Sequence, residues 1–498
     1  MPEVVAAAIE PQSRNPRVAK NTSRRAALSW RSLLAILLVA LAVRGLVLAG
    51  TLEKSEMDGL ARGYESSALA LAAGYGYVRP AENAPAEVDL RSLARQMAAR
   101  GERLSPANAP HITPARWRPI SLHPPGYAYF LLALYRTLGP PMTLWARILE
   151  GLADAGACVL VALVGARLAG PWAGRFAGFG AALFLPAAYL ATSRIADGAA
   201  QPLYVLFFAL LIHALDRRSW PAWAGAGLVG GILFQLRPDF ALAPPLFAGV
   251  AWLVLPRRRE IFLGAALMGL VMALLVLPWA IRNQRVMGRL TPGTTAVGMS
   301  LVMGVGQFAN PYGISPQDGW SGDQAHAAGF ESFDDVGADS MFRARFRRIA
   351  AENPALIASG MMKRFLLAIA TPYHFGYENP FYAGHGFYEY HDREGLGPLA
   401  ALRRHPVEIL RAYWDRFLFV PISVLLFAAT LGMFFLVQRR GVALLIALPW
   451  AYLVAVHLNF LLTTRMLVPG VFAQILALGV CVANLRGRLD DLAAPGES

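Results

Sequence analysis

The chain has 498 residues, 56% of them hydrophobic and only 16% charged, with a mean hydropathy of +0.43, a balance that excludes an ordinary soluble domain. Its net charge of +14 comes from Arg and Lys in short clusters at the ends of apolar runs, which suits membrane topology and anionic lipid and argues against a nucleic-acid partner. Cys158 and Cys481 both fall inside apolar runs, so a disulfide framework is not expected.

The basic segment 1–28 carries Arg14, Arg17, Lys20, Arg24 and Arg25, and no A-x-A-like cleavage site follows the first apolar run, which predicts a retained anchor. A hydrocarbon core of about 30 Å needs about 20 helical residues, and helices satisfy their own backbone groups in lipid. On that measure ten spans are predicted, at 29–50, 143–166, 174–193, 199–216, 221–236, 238–256, 262–281, 415–437, 440–460 and 466–485. The positive-inside rule places Arg167 with Arg175, Arg217 with Arg218, Arg257 to Arg259, Arg439 with Arg440, and Arg486 with Arg488 on the cytoplasmic side. One orientation satisfies all of these clusters. It requires that the apolar helix Pro124 to Leu138 does not cross, and that Ala355 to Thr371 stays on the outer side, where Lys363 and Arg364 avoid mid-span.

Two large outer segments result, about 51–142 and about 282–414. The first should hold a helix from Leu60 to Ala73 and an amphipathic one from Val88 to Arg103. The second should begin irregularly, through Gly298, Gly304, Gly306, Pro311 and Gly313, and then form a basic helix around Met341 to Glu352. The predicted organisation is therefore a cytoplasmic segment 1–28, a transmembrane module 29–285, a second outer region 286–414, C-terminal spans 415–485 and a tail 486–498. No internal repeat is evident.

Charges beside membrane helices need a partner or a ligand. Those on the outer side are Glu53, Glu56, Asp58, Arg62 and Glu65 in the first loop, and Arg147, Glu150, Asp154, Arg194, Asp197, Arg237, Asp239, Arg282, Asn283 and Arg465 at helix ends. Arg147, Glu150 and Asp154, spaced i, i+3, i+7, share one helix stripe and read either as a mutually satisfied cluster or as part of a site. Arg237-Pro238-Asp239 and Ser193 to Asp197 are short turns that also read as solvated caps. Arg282-Asn283 has the donor set for a phosphate, against the alternative of snorkelling to headgroups. His123 opens the short non-crossing helix, and a loop around Tyr373 to Asp392, including His374 and Tyr377, suits a sugar site, a metal, or merely a membrane surface. HExxH, P-loop and GxSxG patterns are absent from the sequence.

Several motifs in order, namely Tyr64-x-x-x-Ala68, Gly74-Tyr75-Gly76-Tyr77, His123-Pro124-Pro125-Gly126-Tyr127, Leu138-Gly139, Leu236-Arg237-Pro238, Pro278 to Asn283 with Gly288, Glu352-Asn353-Pro354 and Arg465 to Pro469, cover most of the chain. Together they resemble the GT-C glycosyltransferases, the polyprenyl-phosphate-sugar enzymes related to protein O-mannosyltransferases and aminoarabinose transferases. The resemblance implies an all-α polytopic membrane protein of about ten transmembrane helices with two large outer loops. It also implies inverting transfer of a sugar from a polyprenyl-phosphate donor to a lipid, glycan or protein acceptor at the outer face of a bacterial inner membrane. Arg237, Arg282, Asn283, Arg194 and Arg465 then become candidates for the donor phosphate, and Tyr64, His123, Tyr127, Asp239, His374 and Tyr377 for the substrate.

The family's general base lies about four residues before the position of Tyr64, but position 60 is Leu. Asp58 is the nearest acid upstream, with Glu56 and Glu65 next in line. No cofactor is specified, and a divalent metal stays open. The alternatives are a lipid-linked sugar flippase, or a GT-C-like subunit without catalysis.

The orientation carries a test. Single cysteines at Gly101 and Asp318 should react with an impermeant thiol reagent from outside, and cysteines beside Arg217 and Arg257 only from the cytoplasm; reaction of the Asp318 position from the cytoplasm would refute it.

Overall fold

A computed structural model of the protein describes residues 28–52, 58–80, 89–111, 117–370, 394–437 and 440–493. Among them the fold is helical apart from one two-stranded antiparallel ribbon, Val78–Pro80 with Trp117–Pro119, in which Arg79 faces Arg118. Among the described residues seven helices are long and apolar enough to cross a membrane: Trp30–Gly50, Met142–Leu183, Ala196–Arg217, Arg258–Met287, Leu418–Leu436, Arg440–His457 and Arg465–Gly487. The chain is a multi-pass membrane protein.

Met142–Leu183 contains the second predicted span and the first half of the third, because at Ala169 and Gly170 the backbone leaves helical geometry and the chain turns back on itself, Gly170 taking φ +86°. A side chain is excluded between the two legs. A Cβ on Gly174 would lie 2.5 Å from the Ala162 carbonyl, and one on Gly178 2.6 Å from the Ala162 side chain. Small residues bring membrane helices close where no hydrophobic force between helices exists. The fifth and sixth predicted spans are the shorter helices Trp220–Leu236, capped by Ser219, and Ala243–Val254.

The third predicted span, 174–193, is broken. Its helix ends at Leu183, Phe184 is extended, and the short helix Leu185–Leu190 follows with Pro186 in its first turn. The carbonyls freed at the break are met by Arg44 of Trp30–Gly50, which donates to Ala182 O and, at 3.2 Å, to Ala181 O. Arg44 also donates to the Asp154 carboxylate at 2.9 and 2.7 Å, and Gln201 donates to the other oxygen of Asp154 at 2.6 Å. All three side chains are buried. Sequence reading placed Asp154 on an outer stripe and gave Arg44 no role.

The basic clusters gather at one end of the bundle. Arg167 pairs with Asp216, Arg218 pairs with Glu260 at 3.4 Å, and Arg175 and Arg486 both lie over the Trp172 ring. The loop segments gather at the other end. There the predicted helices are present as Asp58–Ala72, Leu90–Ala99, Gly126–Thr137, Val336–Glu352 and Pro354–Ala370. The stretch expected to be irregular forms instead the helix Val297–Gly306. Its glycines serve close packing rather than chain freedom. A Cβ on Gly298 would meet Asp339 O at 2.3 Å, one on Gly304 would meet Asn459 O at 2.7 Å, and the Gly298 N–H donates to the Asp339 carboxylate at 2.7 Å.

The second loop region docks on the ribbon of the first. Arg79 bonds Asp334 at 2.6 Å and Ser332 at 2.8 Å, Arg118 pairs with Asp335, and Thr295 meets Ser121 at 2.9 Å. Pro354–Ala370 is fastened by Arg364, which donates to Leu458 O at 2.6 Å and to Gly304 O.

The Arg44 network predicts a stability pattern. Arg44→Leu leaves Asp154 buried and unpaired and should cost about 3–5 kcal/mol, whereas Arg44→Leu with Asp154→Leu should regain the part due to the unpaired charge, the Ala181 and Ala182 carbonyls staying unmet in both. Thermal exposure of the buried Cys158 thiol reports the unfolding; a double variant no better than the single would contradict the pairing.

Candidate functional site

At the loop end, five segments converge on one polar cluster. Helix Trp220–Leu236 ends where Pro238 withholds an N–H, so Arg237 leaves the helix with φ −146°. Its guanidinium donates to Asp197 at 2.6 Å and forks onto both oxygens of Asp239, with Nε to Oδ1 at 3.0 Å and Nη2 to Oδ2. Asp197 stands in the first turn of Ala196–Arg217, where the helix dipole favours an anion. Asp239 also faces His457 Nε2 at 3.4 Å, and its backbone carbonyl accepts the Tyr452 hydroxyl. Arg465 reaches the other oxygen of Asp197 at 3.9 Å.

The first loop covers this cluster. Tyr64 packs on His123 at 5.5 Å and edge-on to Tyr127 at 5.0 Å between ring centroids. The charges of Asp197, Arg465 and Arg237 all act on Tyr64, whose hydroxyl is pushed well above its ordinary value, burial being the largest cause. Burial first, and then Arg465, pushes His123 down to about 4, so the ring is neutral near pH 7. His123 Nε2 is shielded and makes no hydrogen bond among the described residues. Tyr127 donates to Glu150 Oε1 at 2.8 Å, while Oε2 of that buried carboxylate has no hydrogen-bond partner there.

Of the residues predicted for the donor phosphate, Arg237 and Arg465 are in the cluster. Arg194 lies nearby, in left-handed backbone with φ +63°, and its charge acts on Tyr127. Arg282 and Asn283 are employed elsewhere. Arg282 donates to Ile120 O at 2.8 Å and Tyr77 O at 3.0 Å and lies over the Trp279 ring, while Asn283 donates to Thr291 O at 2.8 Å. Arg282 thus fastens the residues that flank the ribbon, and Asn283 the turn at Thr291.

Of the predicted substrate residues, Tyr64, His123, Tyr127 and Asp239 come together. His374 and Tyr377 lie outside the described residues, as does Glu56. Glu65 is engaged by Arg91 at 2.7 Å. Asp58 begins the helix that carries Tyr64 to the cluster. Among the described residues no group of three His, Cys, Asp or Glu side chains is arranged to hold a metal.

His457 and Tyr452 were missed by sequence reading. Their signal was weak but present, since His457 lies within the last turn of the ninth predicted span, 440–460, and Arg465 just before the tenth, 466–485.

No protein-family model matches the sequence, and no curated protein does. Solved structures that align with it include the oligosaccharyltransferase AglB of Archaeoglobus fulgidus in complex with an inhibitory peptide and a dolichol-phosphate, at 13% identity over 94% of this chain and 53% of that one, with a TM-score of 0.44. The apo form of the Archaeoglobus fulgidus oligosaccharyltransferase aligns over 93% of this chain and 52% of the other, at 13% identity with a TM-score of 0.45. Its complex with zinc and sulfate aligns at 16% identity over 75% and 43%, with a TM-score of 0.40. The chain thus spans about half the length of these proteins or less.

The neutral His123 gives the loop end a pH dependence. Its folded value of about 4 lies below the ordinary 6.5, so the unfolded chain binds the extra proton and stability is lost as pH falls from about 6.5 toward 4. The loss should be on the order of 2–3 kcal/mol. Melting of the native protein and His123→Gln, compared between pH 4.5 and 7.5, should show the steeper acid slope in the native protein only.

Proposed function

We propose that the protein is a membrane glycosyltransferase that takes a sugar from a polyprenyl-phosphate donor and transfers it, with inversion, to a lipid, glycan or protein acceptor. We place it in a bacterial cytoplasmic membrane, with both termini cytoplasmic and the site on the outer face. One observation carries this reading: Arg237 and Arg465 flank Asp197 at the ends of membrane helices, beneath a loop that supplies Tyr64 and His123. A lipid-borne phosphate sits at headgroup level, where residues at helix ends reach it without leaving the protein. The ordered sequence motifs that resemble GT-C enzymes support the same reaction class.

In the proposed reaction the acceptor O–H or N–H attacks the anomeric carbon on the face opposite the phosphate. The carbon–oxygen bond to phosphate breaks as the new glycosidic bond forms, and the electron pair leaves with polyprenyl phosphate. Arg465 meets the growing phosphate charge, with the positive charge of Arg237 fixed behind it, which is where such cations accelerate the step. His457 and Asp239 hold Arg237 in place. A carboxylate takes the acceptor's proton, and we assign Asp58, in the helix that brings Tyr64 to the cluster, with Glu56 as the alternative in the same loop.

Purified protein given polyprenyl-phosphate donors bearing labelled sugars, with lipid and peptide acceptors, should release polyprenyl phosphate and label an acceptor. Asp58→Asn should lower transfer about a hundredfold while donor binding persists. Arg465→Gln should weaken donor use about tenfold or more, as expected for one charge-assisted contact. Movement of intact donor across vesicles without product would identify a flippase instead.

A further inference from the structure

A second polar feature lies at the opposite, arginine-rich end, away from the cluster just described. The apolar stretch Pro238–Val254 has 17 residues, about 25 Å of rise against a hydrocarbon core of about 30 Å. Leu255 and Pro256 follow it at once, and Arg257 comes next, directly at the end of the apolar run. Beside it is a cavity of about 270 Å³ lined by Arg257, Arg218, Glu260, Trp220 and Trp223. Glu260 pairs with Arg218 at 3.4 Å, but Arg257 carries no side-chain hydrogen bond or ion pair among the described residues.

Ile261 lines this cavity and also a second, apolar one of about 440 Å³ between Ala243–Val254 and Arg258–Met287. That groove extends from Pro244 to Trp252 along one helix, with Ala241 before it, and from Ile261 to Met272 along the other. Gly249 and Gly269 on its walls face open space, since a Cβ at either would meet nothing within 4 Å.

We infer that this composite site binds one anionic glycerophospholipid, its phosphate at Arg257 and Arg218 between the tryptophans and an acyl chain in the groove. The charge of the lining is net positive, the tryptophans suit headgroup level, and the apolar groove opens on the other side of Ile261 from the cationic cavity. Neither the donor nor the acceptor of the proposed transfer enters this inference.

The full-length protein, delipidated and offered equal phosphatidylglycerol and phosphatidylcholine, should retain the anionic lipid at least tenfold over the zwitterionic one in native mass spectrometry. Arg257→Gln with Arg218→Gln should bring that ratio to near one. Gly269→Leu places its side chain in open space, so it should keep the native melting temperature and yet lose most retained lipid. Equal retention of both lipids by the native protein, meaning a shared annular layer only, would overturn the inference. So would an unchanged ratio in a folded arginine variant, undiminished retention in Gly269→Leu, or displacement of the lipid by millimolar inorganic phosphate, which would mark a site for free anions.

Discussion

Arg237 is the tie on which the loop end depends. Its planar fork gives two donors to Asp239 and a third to Asp197, a geometry that the point charge of lysine cannot reproduce. Removing an ion from water costs several kcal/mol even after relaxation, so a guanidinium at 8% exposure requires both carboxylates. That requirement sets the relative position of three elements: the end of Trp220–Leu236, the turn Pro238–Phe240 and the first turn of Ala196–Arg217. Through His457 and Tyr452 it extends to Arg440–His457, far along the sequence, and Tyr204 adds a bond to Pro449 O at 3.1 Å deeper in the bundle.

Arg44 does comparable service at greater depth. A helix broken inside a bilayer exposes carbonyls that lipid cannot satisfy. The break at Phe184 persists because Arg44 supplies donors to Ala181 and Ala182, and Arg44 in turn is neutralised by Asp154, whose second oxygen takes Gln201. Each member removes the liability of another, so loss of one exposes the rest. Around this network helices approach through Gly174 and Gly178, where added methyl groups would collide with neighbouring atoms.

The spans and their charges were legible because bilayer thickness and the Arg clusters constrain them directly. Parity, with a length of only about 15 residues, kept Pro124 to Leu138 from being read as a crossing, and the helix there, Gly126–Thr137, packs on Asp58–Ala72 and on Met142–Leu183. The hairpin at Gly170 was legible as two spans, yet the break at Phe184 was not, since an apolar run looks the same whether or not its helix is interrupted. Val297–Gly306 was misjudged for a related reason: glycine signals a flexible chain or a close neighbour equally, and only tertiary packing separates them. In the site, the arginines at helix ends could be named from sequence but not their partners. Arg237 and Arg282 are alike on paper; one faces two carboxylates and the other two carbonyls that flank the ribbon.

That division of labour bears on how the cluster could accept an anion. Arg237 and Arg465 carry two positive charges against two carboxylates, Asp197 and Asp239, with His457 beside the second. The donors of Arg237 are committed at short range, and its removal from Asp239 would leave a buried carboxylate facing His457 alone. Arg465 meets Asp197 at 3.9 Å and a quarter of its side chain is exposed, so its charge is the better solvated of the two and is moved at lower electrostatic cost. On the proposed reading a phosphate therefore draws Arg465 toward itself, while Arg237 keeps Asp197 and Asp239 in register. Asp197 lies between the two arginines and would have to part from one of them, and the first turn of Ala196–Arg217 can hold its charge in the interval because the helix N-terminus favours an anion there.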